Sequence, residues 1–175
     1  MRVIGGSARG RRLKAKLPAS VRPTTDFARE AIFSMLESRG GLDDLVVADL
    51  YCGSGAMGIE ALSRGARKIY FVDADPACLA AAKENLDPLH LGGEAIYVRA
   101  TLPLWSPPGD LDLVLCDPPY GPMDVASLLR DVKAQRVVVE NDRHVEAPER
   151  WFVTKTKRYG TTLVTMLEPA PDEVA

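Results

Sequence analysis

Four consecutive residues, Asp117-Pro118-Pro119-Tyr120, are the ones whose types and order most directly suggest chemistry. They follow the apolar run Leu111-Asp112-Leu113-Val114-Leu115-Cys116, which reads as a buried parallel strand. The acid then falls at the carboxyl end of that strand, where open α/β sheets bind their ligands. Two prolines stiffen the turn and remove two N–H donors. The Asp117 carboxylate and the Pro118 carbonyl can each accept one N–H bond, and the Tyr120 ring can stack on a flat base. Asp117, Pro118 and Tyr120 together suit the gripping of a planar –NH2 group. Held this way, the nitrogen lone pair is less delocalised and can be aimed at an electrophile. The same tetrapeptide also suits a plain turn after a strand, so the electrophile must be sought elsewhere in the chain.

Gly53-Ser54-Gly55-Ala56-Met57-Gly58 matches G-x-G-x-x-G between a strand and a helix. In a dinucleotide site such glycines bring a pyrophosphate onto the helix N-terminus. In a methyl-transfer site they let an S-adenosyl-L-methionine backbone pass close. Asp73, ending the second strand, can take ribose hydroxyls in either case. Asp49, four residues before the first glycine, separates the two: it would oppose phosphates but tolerate a cationic sulfonium and an ammonium. The methyl donor is therefore favoured, and no metal is needed. A sulfonium is already a strong electrophile, so holding the amine in line supplies most of the help. Cys116 and Cys52 raise the alternative of cysteine-assisted carbon methylation. Cys116 precedes Asp117 inside the strand, where a buried small residue is the simpler reading.

These groups need a scaffold, and the chain alternates accordingly. Strands are expected at Leu45–Leu50, Lys68–Asp73, Ala95–Arg99, Leu111–Cys116 and Arg136–Glu140, with helices over Ala56–Arg64, Asp75–Leu86 and Val125–Lys133. A further helix starts at Thr25 or Asp26 and runs to about Glu37, with Ala28, Ile32, Met35 and Leu36 on one face. Trp151–Thr156 and Thr161–Leu167 read as a closing hairpin about Tyr159-Gly160. Residues 102–110, with three prolines, are expected to form a loop over the site. The pattern predicts a Rossmann-like, doubly wound α/β fold. Its seven-stranded sheet would be mostly parallel, with an antiparallel C-terminal hairpin. A basic N-terminal extension or small hairpin for RNA (1–25) would precede the main domain (26–168), and a tail (169–175) would follow it.

Composition narrows the class. The 175 residues, 46% hydrophobic, suit one domain with a sizeable core. No run approaches a membrane span, and the start, Met1-Arg2-Val3-Ile4-Gly5-Gly6, lacks the apolar core of a signal peptide. Cys52, Cys78 and Cys116 are odd in number and form no metal-binding pair, which suits a reducing cytoplasm. The net charge of −2 hides an asymmetry. Residues 1–25 hold seven basic residues (Arg2, Arg9, Arg11, Arg12, Lys14, Lys16, Arg22) and no acid, so the remainder stands at −9. A +7 extension on a −9 body points to a nucleic-acid partner.

With these motifs in view, the chain resembles the bacterial 16S ribosomal RNA guanine-N2-methyltransferases of the class I adenosyl-methionine-dependent fold. The likeness lies in Met1–Gly6 with Arg9-Gly10-Arg11 and Leu13, and in Arg22-Pro23-Thr24-Thr25-Asp26 with Arg29-Glu30 and Phe33. It continues through Asp49–Gly55 with Gly58–Ala61, through Asp117–Tyr120, and through Tyr159-Gly160-Thr161-Thr162. The resemblance implies methyl transfer from S-adenosyl-L-methionine, with S-adenosyl-L-homocysteine as product. The substrate would be a guanine of 16S rRNA in the small ribosomal subunit, and the enzyme a cytoplasmic monomer. It implies that Asp49, Tyr51, Gly53, Gly55, Gly58 and Asp117 line the cofactor, Asp73 holds the ribose, Ala74 lies beside adenine, and Thr24 approaches the methionine carboxylate. Many relatives place an acid after the third strand for the adenine amino group. Here Ala100-Thr101 stands there, and the Thr101 hydroxyl is a weaker acceptor. RNA phosphates would fall to Arg2, Arg9, Arg11, Arg12, Lys14, Arg22, Lys155, Lys157 and Arg158, with the target guanine turned out of its stack. The motif at 117–120 would equally serve an amine methyltransferase acting on DNA adenine or protein glutamine. An RNA-binding protein that has lost catalysis and a nicotinamide-dependent oxidoreductase are the remaining alternatives.

Overall fold

The computed structural model describes residues 1–15, 26–119 and 124–171. Seven strands form one sheet: β1 (Val46–Leu50), β2 (Lys68–Asp73), β3 (Glu94–Arg99), β4 (Leu111–Cys116), β5 (Ala134–Asn141), β6 (Trp151–Tyr159) and β7 (Thr162–Pro169). Their order is β3-β2-β1-β4-β5-β7-β6. β1 to β5 run parallel; β7 is antiparallel to both β5 and β6. The expected doubly wound, mostly parallel sheet with its closing hairpin is therefore present. Consecutive strands lead outward from β1 to β3, and the chain then crosses back to β4 on the other side of β1. This leaves a crevice at the carboxyl ends of β1 and β4, the position where such sheets bind ligands.

Burial explains the strand composition. Every residue of β1 is buried, and β4 is buried at five of six positions. Alternate residues feed two separate cores. On the first face Val47, Ile69, Phe71, Leu113, Leu115 and Val138 meet α1 (Asp26–Glu37) and α2 (Ala56–Ser63), with Ala82 of α3 (Pro76–Leu86). On the second face Ala48, Leu50, Val72, Val114 and Val139 meet α4 (Val125–Leu129). Asp75 caps α3 by accepting the Ala77 N–H at 2.8 Å, with Pro76 in the first helical position.

Three elements depart from expectation. The fourth helix stops at Leu129 instead of reaching Lys133, because the Lys133 carbonyl already accepts the Leu111 N–H at 2.9 Å and belongs to the sheet margin. The proline-rich loop leaves Leu104 in water and lays two of its apolar residues on the second sheet face. Leu102 and Trp105 pack there, with Trp105 tilted against Tyr70 at 6.0 Å. It thereby does the covering that a crossover helix would do. The hairpin is also longer than the sequence pattern indicates. Its strands pair up to Tyr159↔Thr162, leaving a two-residue turn with Gly160 at φ +61°.

Residues 1–15 are not a free arm. Val3, Ala8 and Leu13 are buried in the first core. A single antiparallel bridge pairs Arg2 with Arg12. Gly6 is required where this segment crosses α2: its φ is +72°, and a Cβ would stand 1.8 Å from the Ser63 carbonyl oxygen.

Candidate active site

Register brings three carboxylates together. Leu50 of β1 lies level with Val72 of β2 and Cys116 of β4. Asp73 and Asp117 therefore flank β1 one residue beyond that level, and Asp49 sits one residue before it. Asp49 is 1% exposed and accepts the Gly58 N–H at 2.8 Å, which ties the strand to the helix after the glycine loop. Asp73 accepts the Gly53 N–H at 3.0 Å on one oxygen and the Asp75 N–H at 2.9 Å on the other, holding the loop and the start of α3. Asp117 is half-buried, Pro118 buried and Pro119 exposed. Tyr51 is held at φ +58°, a conformation uncommon for a bulky residue. It packs half-buried against the second core.

Burial raises the Asp49 carboxyl well above the ordinary carboxylate range; the Gly58 N–H opposes this, while the charges of Asp117 and Asp73 add to it. A raised carboxyl stabilises the fold fully below the unfolded carboxylate range, near pH 4. That stability is lost as pH rises through the raised value. Asp49→Asn keeps an acceptor for Gly58 but carries no charge. Its melting temperature in the ligand-free protein is expected to gain on wild type as pH increases. A difference constant between pH 4 and 9 would count against a buried, strained Asp49.

The glycines divide their work. A Cβ on Gly58 would stand 2.4 Å from the Phe71 ring, so this glycine serves helix-on-strand packing. Gly55 lies at φ +74°, with Ala82 2.7 Å from where its Cβ would be. Gly53, at φ +51°, turns its N–H to Asp73. The three cysteines are free and buried. Burial and the Asp117 and Asp49 charges push the Cys116 thiol well up, and Cys78 rises to about 11, so neither is a ready thiolate.

Ala74 and Thr101 are exposed at the ends of β2 and β3, and the Thr101 carbonyl accepts the Leu104 N–H at 2.9 Å. Thr24, Arg22 and Tyr120 lie outside the described residues. Arg2, Arg9, Arg11, Arg12 and Lys14 are all exposed on the N-terminal segment; Arg11 donates to the Pro88 carbonyl at 2.8 Å. Lys155, Lys157 and Arg158 are exposed on β6, a sheet edge.

The sequence pattern does not reveal the groups that fasten the basic segment. Glu60, fully buried on α2, accepts the N–H groups of Ile4 at 2.8 Å and Gly5 at 2.7 Å, and pairs with the Arg64 Nε at 2.9 Å. Ser63 Oγ accepts the Ala8 N–H and donates to the Gly5 carbonyl. Buried Arg29 of α1 donates to the Arg2 carbonyl and to Asp26. Asn85 accepts the Ala15 N–H at 2.8 Å and donates to the Ser54 carbonyl at 3.0 Å, joining the segment to the glycine loop. The one available signal was Glu60 itself, a lone acid in the otherwise apolar stretch Ala56–Leu62.

The strand order, the glycine loop after β1 and the acids at three strand ends define the class I methyltransferase fold. A family model described as "Conserved hypothetical protein 95" matches residues 1–168. The YlbH protein of Bacillus subtilis is 37% identical over 95% of this chain and 97% of its own. Ribosomal RNA small subunit methyltransferase D of Haemophilus influenzae is 30% identical, over 91% of this chain and 89% of its own. Among solved structures, the yhhF methyltransferase from Escherichia coli superposes with a TM-score of 0.81 at 28% identity, covering 97% of each chain. The chain belongs to this family of methyltransferases.

Proposed function

We propose that this protein transfers a methyl group from S-adenosyl-L-methionine to the exocyclic N2 of a guanine in 16S ribosomal RNA. The substrate is the assembled small subunit, and the enzyme works as a cytoplasmic monomer. The observation that carries the reading is the placement of Asp73, Asp49 and Asp117 at three adjacent strand ends around the crevice between β1 and β4. Three carboxylates gathered at these strand ends form a donor set suited to a cation; burial raises the Asp49 carboxyl, and the charges of Asp117 and Asp73 add to it. The cofactor fits that chemistry, since it supplies a methyl group on a sulfonium together with a cationic ammonium. Asp49 offsets positive charge, and the remaining lone pairs of Asp73 accept the ribose hydroxyls. Asp117 and the Pro118 carbonyl accept the two N–H bonds of the guanine amino group and set its nitrogen in line. The proton that nitrogen gives up goes to Asp117 or to water. Membership of a family that includes a small-subunit rRNA methyltransferase supports the choice of RNA. So does the crowd of exposed basic side chains on residues 2–14.

The deciding experiment supplies labelled S-adenosyl-L-methionine with small subunits lacking the modification, and with free 16S rRNA, and then analyses the nucleosides. Labelled N2-methylguanosine is the expected product, formed faster on the particle. Label in another nucleoside, or in DNA or protein acceptors alone, overturns the reading. Replacing Arg9, Arg11 and Arg12 together by alanine is expected to weaken RNA binding. It should also flatten the dependence of log K on log salt by about 0.7–0.9 for each phosphate that is no longer neutralised. An unchanged slope would remove these residues from the phosphate-binding set.

A further inference from the structure

α1 opens with an aromatic residue left in water. Phe27 is 66% exposed, although it lies in the first turn of a helix that buries Ala28, Ile32, Phe33, Met35 and Leu36. Its ring meets Tyr159 edge-on, with centroids 5.7 Å apart and planes at 78°. Tyr159 ends β6 and packs half-buried against the first core, and the Lys157 ammonium stands 5.2 Å from its ring centre. Pairing places Lys155 opposite Met166 and Lys157 opposite Val164, both of which feed the first core, so the two lysines share the face on which α1 and Phe27 lie. β6 carries three basic residues and no acid. The nearby acids are Asp26, paired with Arg29, and exposed Glu30 on α1, and Asp142, paired with Arg143, just after β5.

β6 runs in the same direction as β4, so Tyr159 lies at the same end of the sheet as Asp117. Three strand spacings separate β6 from β4, about 14 Å. That is the reach of a nucleotide a few positions from one held in the Asp117 turn. An exposed ring braced edge-on by a second, with lysines beside it, is the means by which proteins hold single-stranded nucleic acid, bases on rings and phosphates on cations. Lysine alone at this corner would hold phosphate but would give no face for a base.

We propose that Phe27 and Tyr159 form a stacking platform for an unpaired base of the substrate RNA beside the target guanine, with Lys155 and Lys157 on the adjoining phosphates. The proposal rests on the RNA-methylation reading above and adds a second point of grip. Its test is steady-state methyl transfer to small subunits lacking the modification, with wild type, Phe27→Ala, Phe27→Trp and the double variant Lys155→Ala/Lys157→Ala. Phe27→Ala is expected to raise KM for the particle about tenfold, with kcat within about twofold and the melting temperature unchanged. Phe27→Trp should restore KM. The lysine variant should flatten the salt dependence of binding, which Phe27→Ala should leave alone. An unchanged KM in Phe27→Ala, a fall confined to kcat, or no rescue by tryptophan would overturn the platform while leaving the methylation reading standing. A wild-type protein that methylates no RNA would overturn both.

Discussion

Asp117→Ala is expected to lower methyl transfer by roughly a thousandfold or more, with cofactor affinity changed by less than about tenfold. The side chain stands at the end of β4, next to β1 and half-exposed to the crevice, while Pro118 behind it is buried and cannot turn to compensate. Alanine removes one of the two acceptors that orient the amine, and with it an acceptor for the departing proton. Asp117→Asn keeps one oxygen acceptor and should fall between, losing about 10- to 100-fold. Removing the Asp117 charge also relieves part of the repulsion that raises Asp49. Cofactor binding in the variant should therefore depend on pH over a lower range than in wild type. Single-turnover transfer beside calorimetric cofactor binding separates these effects. Near wild-type transfer by Asp117→Ala would remove the amine grip from the mechanism.

The second large effect is structural. Glu60→Ala leaves two backbone N–H groups and the Arg64 Nε without their shared, fully buried acceptor. Breaking a buried, hydrogen-bonded charge of this kind costs about 3–5 kcal/mol. For a chain of this size that is a fall of about 10 °C in melting temperature. The loss should concentrate in the N-terminal segment, so hydrogen exchange at Ile4, Gly5 and Ala8 should rise before exchange in the sheet. The displaced segment carries Arg2, Arg9, Arg11, Arg12 and Lys14, so RNA affinity should fall with it. Glu60→Gln retains acceptors for the backbone and should lose less. A cost below about 1 kcal/mol would show that Ser63 and Arg29 hold the segment without Glu60.

Much of this protein was determined by local sequence. Apolar runs such as Leu111–Cys116, broken by glycine, proline and capping acids, allow few alternatives to buried parallel strands joined by helices. The Asp75-Pro76 start of α3 and the turn at Gly160 obey backbone preferences that act within four residues. The carboxylates could be assigned to strand ends for the same reason. Tertiary structure decided the rest. Asp49 turns inward to the Gly58 N–H, nine residues on, because β1 and α2 pack face to face, which no local pattern encodes. Lys133 left its helix because the sheet offered its carbonyl the Leu111 N–H. The 102–110 loop settled on the second sheet face because Tyr70 and its neighbours there needed cover. The charge of residues 1–14 was legible in their composition, but their attachment was not. It depends on Glu60, Ser63 and Asn85, which lie 55 to 70 residues away in sequence and accept backbone N–H groups that every residue type but proline would present.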